Sequence, residues 1–149
     1  MATYIVDIDG TVADTSHRQY ALKALPGDKP DWELFFNLAA QDKPIPHMWT
    51  LFNDLYRVGV TFIYASGRPE RLRKLTVDWL DRHDFPMPDN LYMRADGDRR
   101  DDAIVKAEIL GQIYRDGYKP TMAFDDRDRV VKMWREHGIP CAQVAEGNF

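Results

Sequence analysis

An α/β fold, a parallel sheet with helices on both faces, is what the sequence predicts, and three observations predict it. Short β-branched and aromatic runs recur along the chain: TYIVDI at 3–8, VTFIYA at 60–65, LYM at 91–93 and TMAF at 121–124. Between them the apolar residues return at helical spacing, and strands alternating with helices join as parallel βαβ units. Each strand candidate then runs into polar residues, at Asp9-Gly10, Ser66-Gly67, Arg94 and Asp125-Asp126. Ligands of such sheets bind outside the carboxyl ends of the strands, so these residues fall where a site is expected.

Taken in order, Thr3 to Ile8 reads as a buried strand ending in a polar loop. The stretch Asp14 to Pro46 breaks the alternation, with helix candidates at 16–25 and 31–41 around the turn PGDKP at 26–30. It reads as a small helical insert after the first strand. Met48, Leu51, Phe52, Leu55 and Tyr56 mark a helix that Gly59 ends, and VTFIYA is the next strand. Pro69 suits the first turn of a second helix, whose apolar stripe is Leu72, Leu75, Trp79 and Leu80. After LYM, a helix from Asp101 to Tyr114 stops at Gly117; after TMAF, another from Val130 to His137 stops at Gly138. PCAQV at 140–144 supplies a last short strand. Trp32, Phe35 and Trp134 read as core, and His17 as a surface residue.

A chain of 149 residues is expected to form one domain around one core. With 44% hydrophobic and 30% charged residues, Gly 9 and Pro 9, it is neither disordered, low-complexity nor collagen-like. Cys141 is the single cysteine, so neither an intrachain disulfide nor a thiolate zinc cage can form. The opening MATYIVDIDG lacks a basic leader and no apolar run reaches membrane length, which points to the cytoplasm. A net charge of -4 argues against a broad electrostatic nucleic-acid surface, though a small basic pocket for one phosphate remains compatible with it.

Four short motifs carry chemistry. In YIVDIDGT, Asp7 and Asp9 stand two apart at a strand end, where both carboxylates can converge while Gly10 lets backbone approach a ligand. Ser66, Gly67 and Arg68 offer a hydroxyl, a backbone N–H and a guanidinium, which together suit a phosphate oxygen; the same residues also fit a plain strand-to-helix turn. Asp102 and Lys106 are four apart on one helical face, the spacing of an ordinary surface ion pair. Asp125 and Asp126 leave a buried strand side by side, and two such carboxylates repel unless a divalent metal neutralises them.

In this order, Asp-x-Asp, Ser, Lys, Asp-Asp, the chain resembles the haloacid dehalogenase superfamily of phosphotransferases. Receiver domains also combine an aspartate with Ser/Thr and Lys, but their acidic pair comes early. SGRPE, GDRRDDAIVKAEI, FDDRDRVVKMW and GIPCAQVAEGNF extend the likeness to the 3′-phosphatase domain of phage polynucleotide kinase/phosphatase, over Thr3 to Phe149. A GxxxxGK[ST] phosphate loop does not occur, so no kinase domain is expected.

The resemblance implies a Rossmann-like sheet and an Mg²⁺-dependent phosphatase with an aspartyl-phosphate intermediate. Asp7 would be the nucleophile and Asp9 the general acid and base. Mg²⁺ would be held by Asp7, the main-chain carbonyl of Asp9, and Asp125 or Asp126. Ser66 and Lys106 would bind the transferring oxygens with Asp102 orienting the lysine, and Arg18, Gly67 and Arg68 would contact the substrate phosphate. The implied substrate is a 3′-phosphorylated nucleic-acid end or nucleotide, with a separate kinase or ligase as partner; a nucleoside monophosphate phosphatase is the alternative. A metal-dependent glycosyltransferase would use Asp7 and Asp9 but leaves Lys106 and Asp125-Asp126 without a purpose. A non-catalytic phosphate-binding module would not need the nucleophile that is present.

Overall fold

The computed structural model describes residues 1–23, 26–27 and 29–149. Strand β1 (Thr3–Val6) and the short β2 (Ala13–Asp14) lead into the insert. There a 3₁₀ segment (Ser16–Leu22), helix α1 (Trp32–Asn37) and a 3₁₀ turn (Leu38–Gln41) precede the return strand β3 (Lys43–Pro44). The alternation follows as α2 (Pro46–Arg57), β4 (Thr61–Pro69), α3 (Arg73–Arg82), β5 (Asn90–Arg94), α4 (Asp102–Arg115), β6 (Met122–Asp125), α5 (Asp128–Glu136) and β7 (Cys141–Gln143).

The main sheet has the order β5-β4-β1-β6-β7, and every pairing is parallel. From central β1 the chain builds outward through β4 and β5, then returns to add β6 and β7 on the other side. The order therefore reverses between β1 and β6, where open α/β sheets form their ligand crevice. Asp7 follows β1 and Asp125 closes β6, so the two carboxylates flank that crevice.

Both sheet faces are buried, with side chains alternating between them. Val6, Phe62, Tyr64 and Phe124 pack with Phe52 of α2 and Trp79 and Leu80 of α3. Ile5, Ile63, Ala65 and Ala123 pack with Val105, Ile109 and Ile113 of α4 and Trp134 of α5. The helices stop where Gly59, Gly117 and Gly138 take positive φ, as expected.

Several boundaries depart from the sequence expectation. The first insert helix is a 3₁₀ segment ending at Leu22; residues 24 and 25 of that candidate, and 28 of the PGDKP turn, lie outside the described residues. The second ends at Asn37 and tightens into the 3₁₀ turn. The β2–β3 ladder, pairing Ala13 with Pro44 and Asp14 with Lys43, closes the base of the insert and is too short to show a period. Pro69 stands just before the helix instead of in its first turn: β4 carries on through Ser66–Pro69 beside β5, with a register shift between Ser66 and Pro69, and Pro69 caps a 3₁₀ turn (Glu70–Leu72) that runs into α3. Trp32 is 53% exposed, because six-residue α1 turns Phe35 inward and leaves Trp32 stacked on Phe36. Phe35 and Trp134 are buried as expected. Among the described residues no helix is long and apolar enough to cross a membrane.

Candidate active site

The loop after β1 winds around one carbonyl, since the Ile8 oxygen accepts the N–H groups of Thr11, Val12 and Ala13. That winding places the Thr11 hydroxyl 3.0 Å from Asp7 Oδ2, while Lys106 Nζ donates to Asp7 Oδ1 at 2.7 Å. The same ammonium donates to Asp125 Oδ2 at 2.9 Å. Asp7, Asp125 and Asp126 are all buried and each offers one oxygen within 4.8 Å of the others. Burial, followed by the charge of Asp125, pushes the Asp7 carboxyl well above its usual range, although Lys106 pulls the other way. Burial and then Asp125 likewise push Asp126 up to about 6. The one bridging ammonium thus leaves the three carboxylates under-neutralised, and an all-oxygen donor set of this kind fits a hard divalent cation such as Mg²⁺.

Gly10 makes the cluster possible for two reasons. Its φ is +82°, and a Cβ there would lie 2.1 Å from Asp126 Oδ2. Gly10→Ala is expected to lower stability by about 1–2 kcal/mol from the left-handed backbone alone. It should also weaken Mg²⁺ binding by displacing Asp126, as read by titration calorimetry. Parent-like affinity would show that the close approach is dispensable.

Lys106 is no surface ion pair: it is 1% exposed and inserted between the nucleophile candidate and Asp125. Burial works against its charge, but Asp125 and Asp7 outweigh burial and keep it protonated. The expected orienting contact from Asp102 is absent. Lys106 turns toward the sheet edge, whereas Asp102 pairs with Arg94 and, at 3.2 Å, with Arg127 Nη1. Gly67 lies against Asp102, where a Cβ would come 2.3 Å from Asp102 Oδ1, and its carbonyl accepts from Arg94 Nε at 2.9 Å. Ser66 is buried and its Oγ accepts the Arg68 N–H at 3.1 Å, so it is a turn acceptor within β4 and no helix cap.

A second cluster surrounds Asp9. Arg18 Nη2, Arg68 Nε and Arg68 Nη2 donate to Asp9 Oδ1 at 2.9, 3.0 and 2.6 Å. Oδ2 has no partner among the described residues. Both guanidiniums are buried and also bind the buried carboxylate of Asp42 from the insert. Phe35 O takes a further donor of Arg18, and Thr76 Oγ1 one of Arg68. Four of the five N–H groups of each arginine are therefore committed, and the two side chains expected at the substrate phosphate are found on Asp9 and Asp42. Burial would raise Asp9, but Arg68 and Arg18 outweigh it and hold its carboxyl below the usual range. His17 is exposed, as expected, and its Nε2 lies 2.6 Å from Asp42 Oδ1, at the edge of this cluster.

Sequence reasoning missed Thr11, Asp42 and Arg127, and it marked Arg94 as a strand exit without giving it a role. Thr11 had a signal in its place after Asp-x-Asp-Gly. Asp42 had none, since it meets Arg18 and Arg68 across 24 and 26 residues.

Comparison with known proteins shows the family and the fold. The family described as polynucleotide kinase PNKP phosphatase domain matches residues 1–149. A putative bifunctional polynucleotide kinase/RNA ligase of Autographa californica nuclear polyhedrosis virus is 28% identical over 137 residues, 91% of this chain and 18% of that protein. In the solved Pnkp1/Rnl/Hen1 RNA repair complex, one chain superimposes with a TM-score of 0.80 at 30% identity, covering 99% of this chain and 43% of that one. The Class C acid phosphatase of Bacillus anthracis, solved with tungstate, shares the fold, with a TM-score of 0.66 at 15% identity over 97% of this chain and 68% of its own. The chain thus spans less than half the length of these polynucleotide-repair relatives.

Proposed function

The chain belongs to the polynucleotide kinase PNKP phosphatase-domain family, of haloacid dehalogenase fold, and from that premise we propose that it removes 3′-phosphates from polynucleotide ends through an aspartyl-phosphate. The observation that carries the reading is the buried contact of Lys106 with both Asp7 and Asp125, beside an Asp9 whose Oδ2 has no partner among the described residues.

Asp7 attacks phosphorus in line, forming a phosphorus–oxygen bond as the bond to the sugar oxygen breaks. Thr11 and Lys106 fix its two carboxylate oxygens, so the attacking atom is held without rotation. The departing alkoxide takes a proton from Asp9; Asp9, now a carboxylate, draws a proton from the water that splits the acyl-phosphate, regenerating Asp7 and releasing phosphate. Arg18 and Arg68 hold Oδ1, which leaves Oδ2 to exchange that proton. Their charges favour the carboxylate form needed for the second step. The first step needs the acid form, which they oppose until substrate charge offsets them. A divalent cation held by Asp7, Asp126 or Asp125, and the Asp9 carbonyl would neutralise phosphoryl oxygen charge. Lys106 adds a fixed positive charge at the same place.

The substrate assignment follows the relatives, named for polynucleotide kinase, RNA ligase and RNA repair. Removal of a 3′-phosphate leaves the 3′-hydroxyl that a ligase joins, so a kinase and a ligase are the partners of this reading. A phosphate-release panel tests it. With Mg²⁺, kcat/KM should be higher for 3′-phosphorylated oligonucleotides than for 5′-phosphorylated oligonucleotides, nucleoside monophosphates or an aryl phosphate, and a chelator should abolish all four. Equal or better hydrolysis of 5′-monophosphates, with no gain from chain length, would assign the site to mononucleotides.

A further inference from the structure

Residues 144–149 have no part in the reaction above, yet they are fastened beside the acidic cluster. The Val144 N–H donates to Asp125 O at 3.1 Å, and both the Asp128 and Phe149 N–H groups donate to Gly147 O at 2.9 Å. Gly147 lies so close to the loop after β6 that a Cβ would come 1.7 Å from Asp126 O. The segment ends on Phe149, whose backbone oxygen accepts from Arg129 Nη2 at 3.2 Å and whose ring has the Arg127 guanidinium carbon 4.8 Å from its centroid. This ring is held in place and still 59% exposed.

Phe149 lines a cleft of about 440 Å³ whose other boundaries include Gly10, Asp126, Ser16, Gln19 and Ile45. The cleft begins at the residues that shape the acidic cluster. Gly10 and Asp126 connect it to the cluster that holds Asp7, which puts the cleft beside a group esterified to a phosphate there. The volume of the cleft suits one nucleoside, and its walls combine one aromatic ring and Ile45 with the hydroxyl and amide groups of Thr15, Ser16 and Gln19 and the carboxylates of Asp14 and Asp126. Arg127 lies over the ring, which still keeps exposed surface that a flat partner can cover.

We propose that Phe149 is a base-stacking platform for the nucleoside that bears the scissile phosphate. The identity of that ligand rests on the nucleic-acid reading of the site; the position of the platform rests on the cleft. Stacking tolerates every base because each has a π-face, so Phe149 confers selectivity for a nucleoside over a bare sugar and not for one base.

The test compares 3′-phosphorylated oligonucleotides ending in an ordinary nucleoside with the same oligonucleotides ending in a 3′-phosphorylated abasic deoxyribose. In the parent the nucleoside end should have the higher kcat/KM, and Phe149→Ala should reduce that preference by about 5- to 100-fold, chiefly through KM. Phe149→Trp should preserve the preference, whereas Phe149→Leu should behave as Phe149→Ala. An equal loss on both ends in Phe149→Ala, or parent behaviour in Phe149→Leu, would overturn the platform and make Phe149 a tether for Arg127. The two readings fail separately. If the parent favours 5′-monophosphates, the end-repair reading falls, and the platform still requires Phe149→Ala to lose preference for a nucleoside 5′-monophosphate over ribose 5-phosphate.

Discussion

Asp7→Asn is expected to fold as the parent does and to lose at least about 10²-fold in turnover, the usual loss on removing a central catalytic group. An amide is a poor nucleophile and a weaker ligand for a divalent cation. The substitution keeps the shape of the side chain and removes one of three converging carboxylates, so the fold has no reason to fail. Lys106 keeps Asp125 as a partner. Beryllium fluoride should bind the parent as a mimic of phospho-aspartate, and that binding should vanish in Asp7→Asn. A variant that folds, retains more than about a hundredth of the parent rate and still binds beryllium fluoride would remove Asp7 as the nucleophile.

Lys106→Met is expected to cost both activity and stability. The ammonium is the cation hydrogen-bonded to both Asp7 and Asp125, and all three groups are buried. Removing one partner from a buried charge cluster leaves the others uncompensated, which typically costs about 3–5 kcal/mol. Methionine fills much of the lysine volume, so the loss reports charge and not a cavity. Because a divalent cation would relieve the same repulsion, Mg²⁺ should raise the denaturant midpoint of Lys106→Met more than that of the parent. Turnover should remain low at saturating Mg²⁺, since the fixed charge beside the phosphoryl oxygens is gone. Asp102→Asn should be milder, because Asp102 touches Arg94 and Arg127 and makes no bond to Lys106. Parent-like stability and turnover in Lys106→Met would mean that its contact with Asp7 is incidental.

Much of this molecule is determined by sequence at short range. Strands and helices were legible because burial on both sheet faces demands continuous apolar runs, and helix packing demands a 3.6-residue period. Their polar exits were legible because a parallel sheet gathers its loops at one edge, which assigns Asp7, Asp9, Ser66 and Asp125 to that edge from the strand pattern alone. The ends of the helices were written in Gly59, Gly117 and Gly138.

Which charge meets which was decided only by the tertiary structure. An arginine carries five donors whatever its neighbours in sequence, and nothing near Arg18 or Arg68 says that they are spent on Asp9 and Asp42. The i, i+4 spacing of Asp102 and Lys106 suggests a pair. Burial draws Lys106 to Asp7, 99 residues away, while Asp102 finds Arg94 and Arg127 instead. Pro69 reads as a helix start until β5 extends the pairing of β4 past it. Periodicity is a local property of the chain and survives in the sequence; the pairing of buried charges depends on which loops the sheet order brings to one edge, and that exists only once the chain has folded.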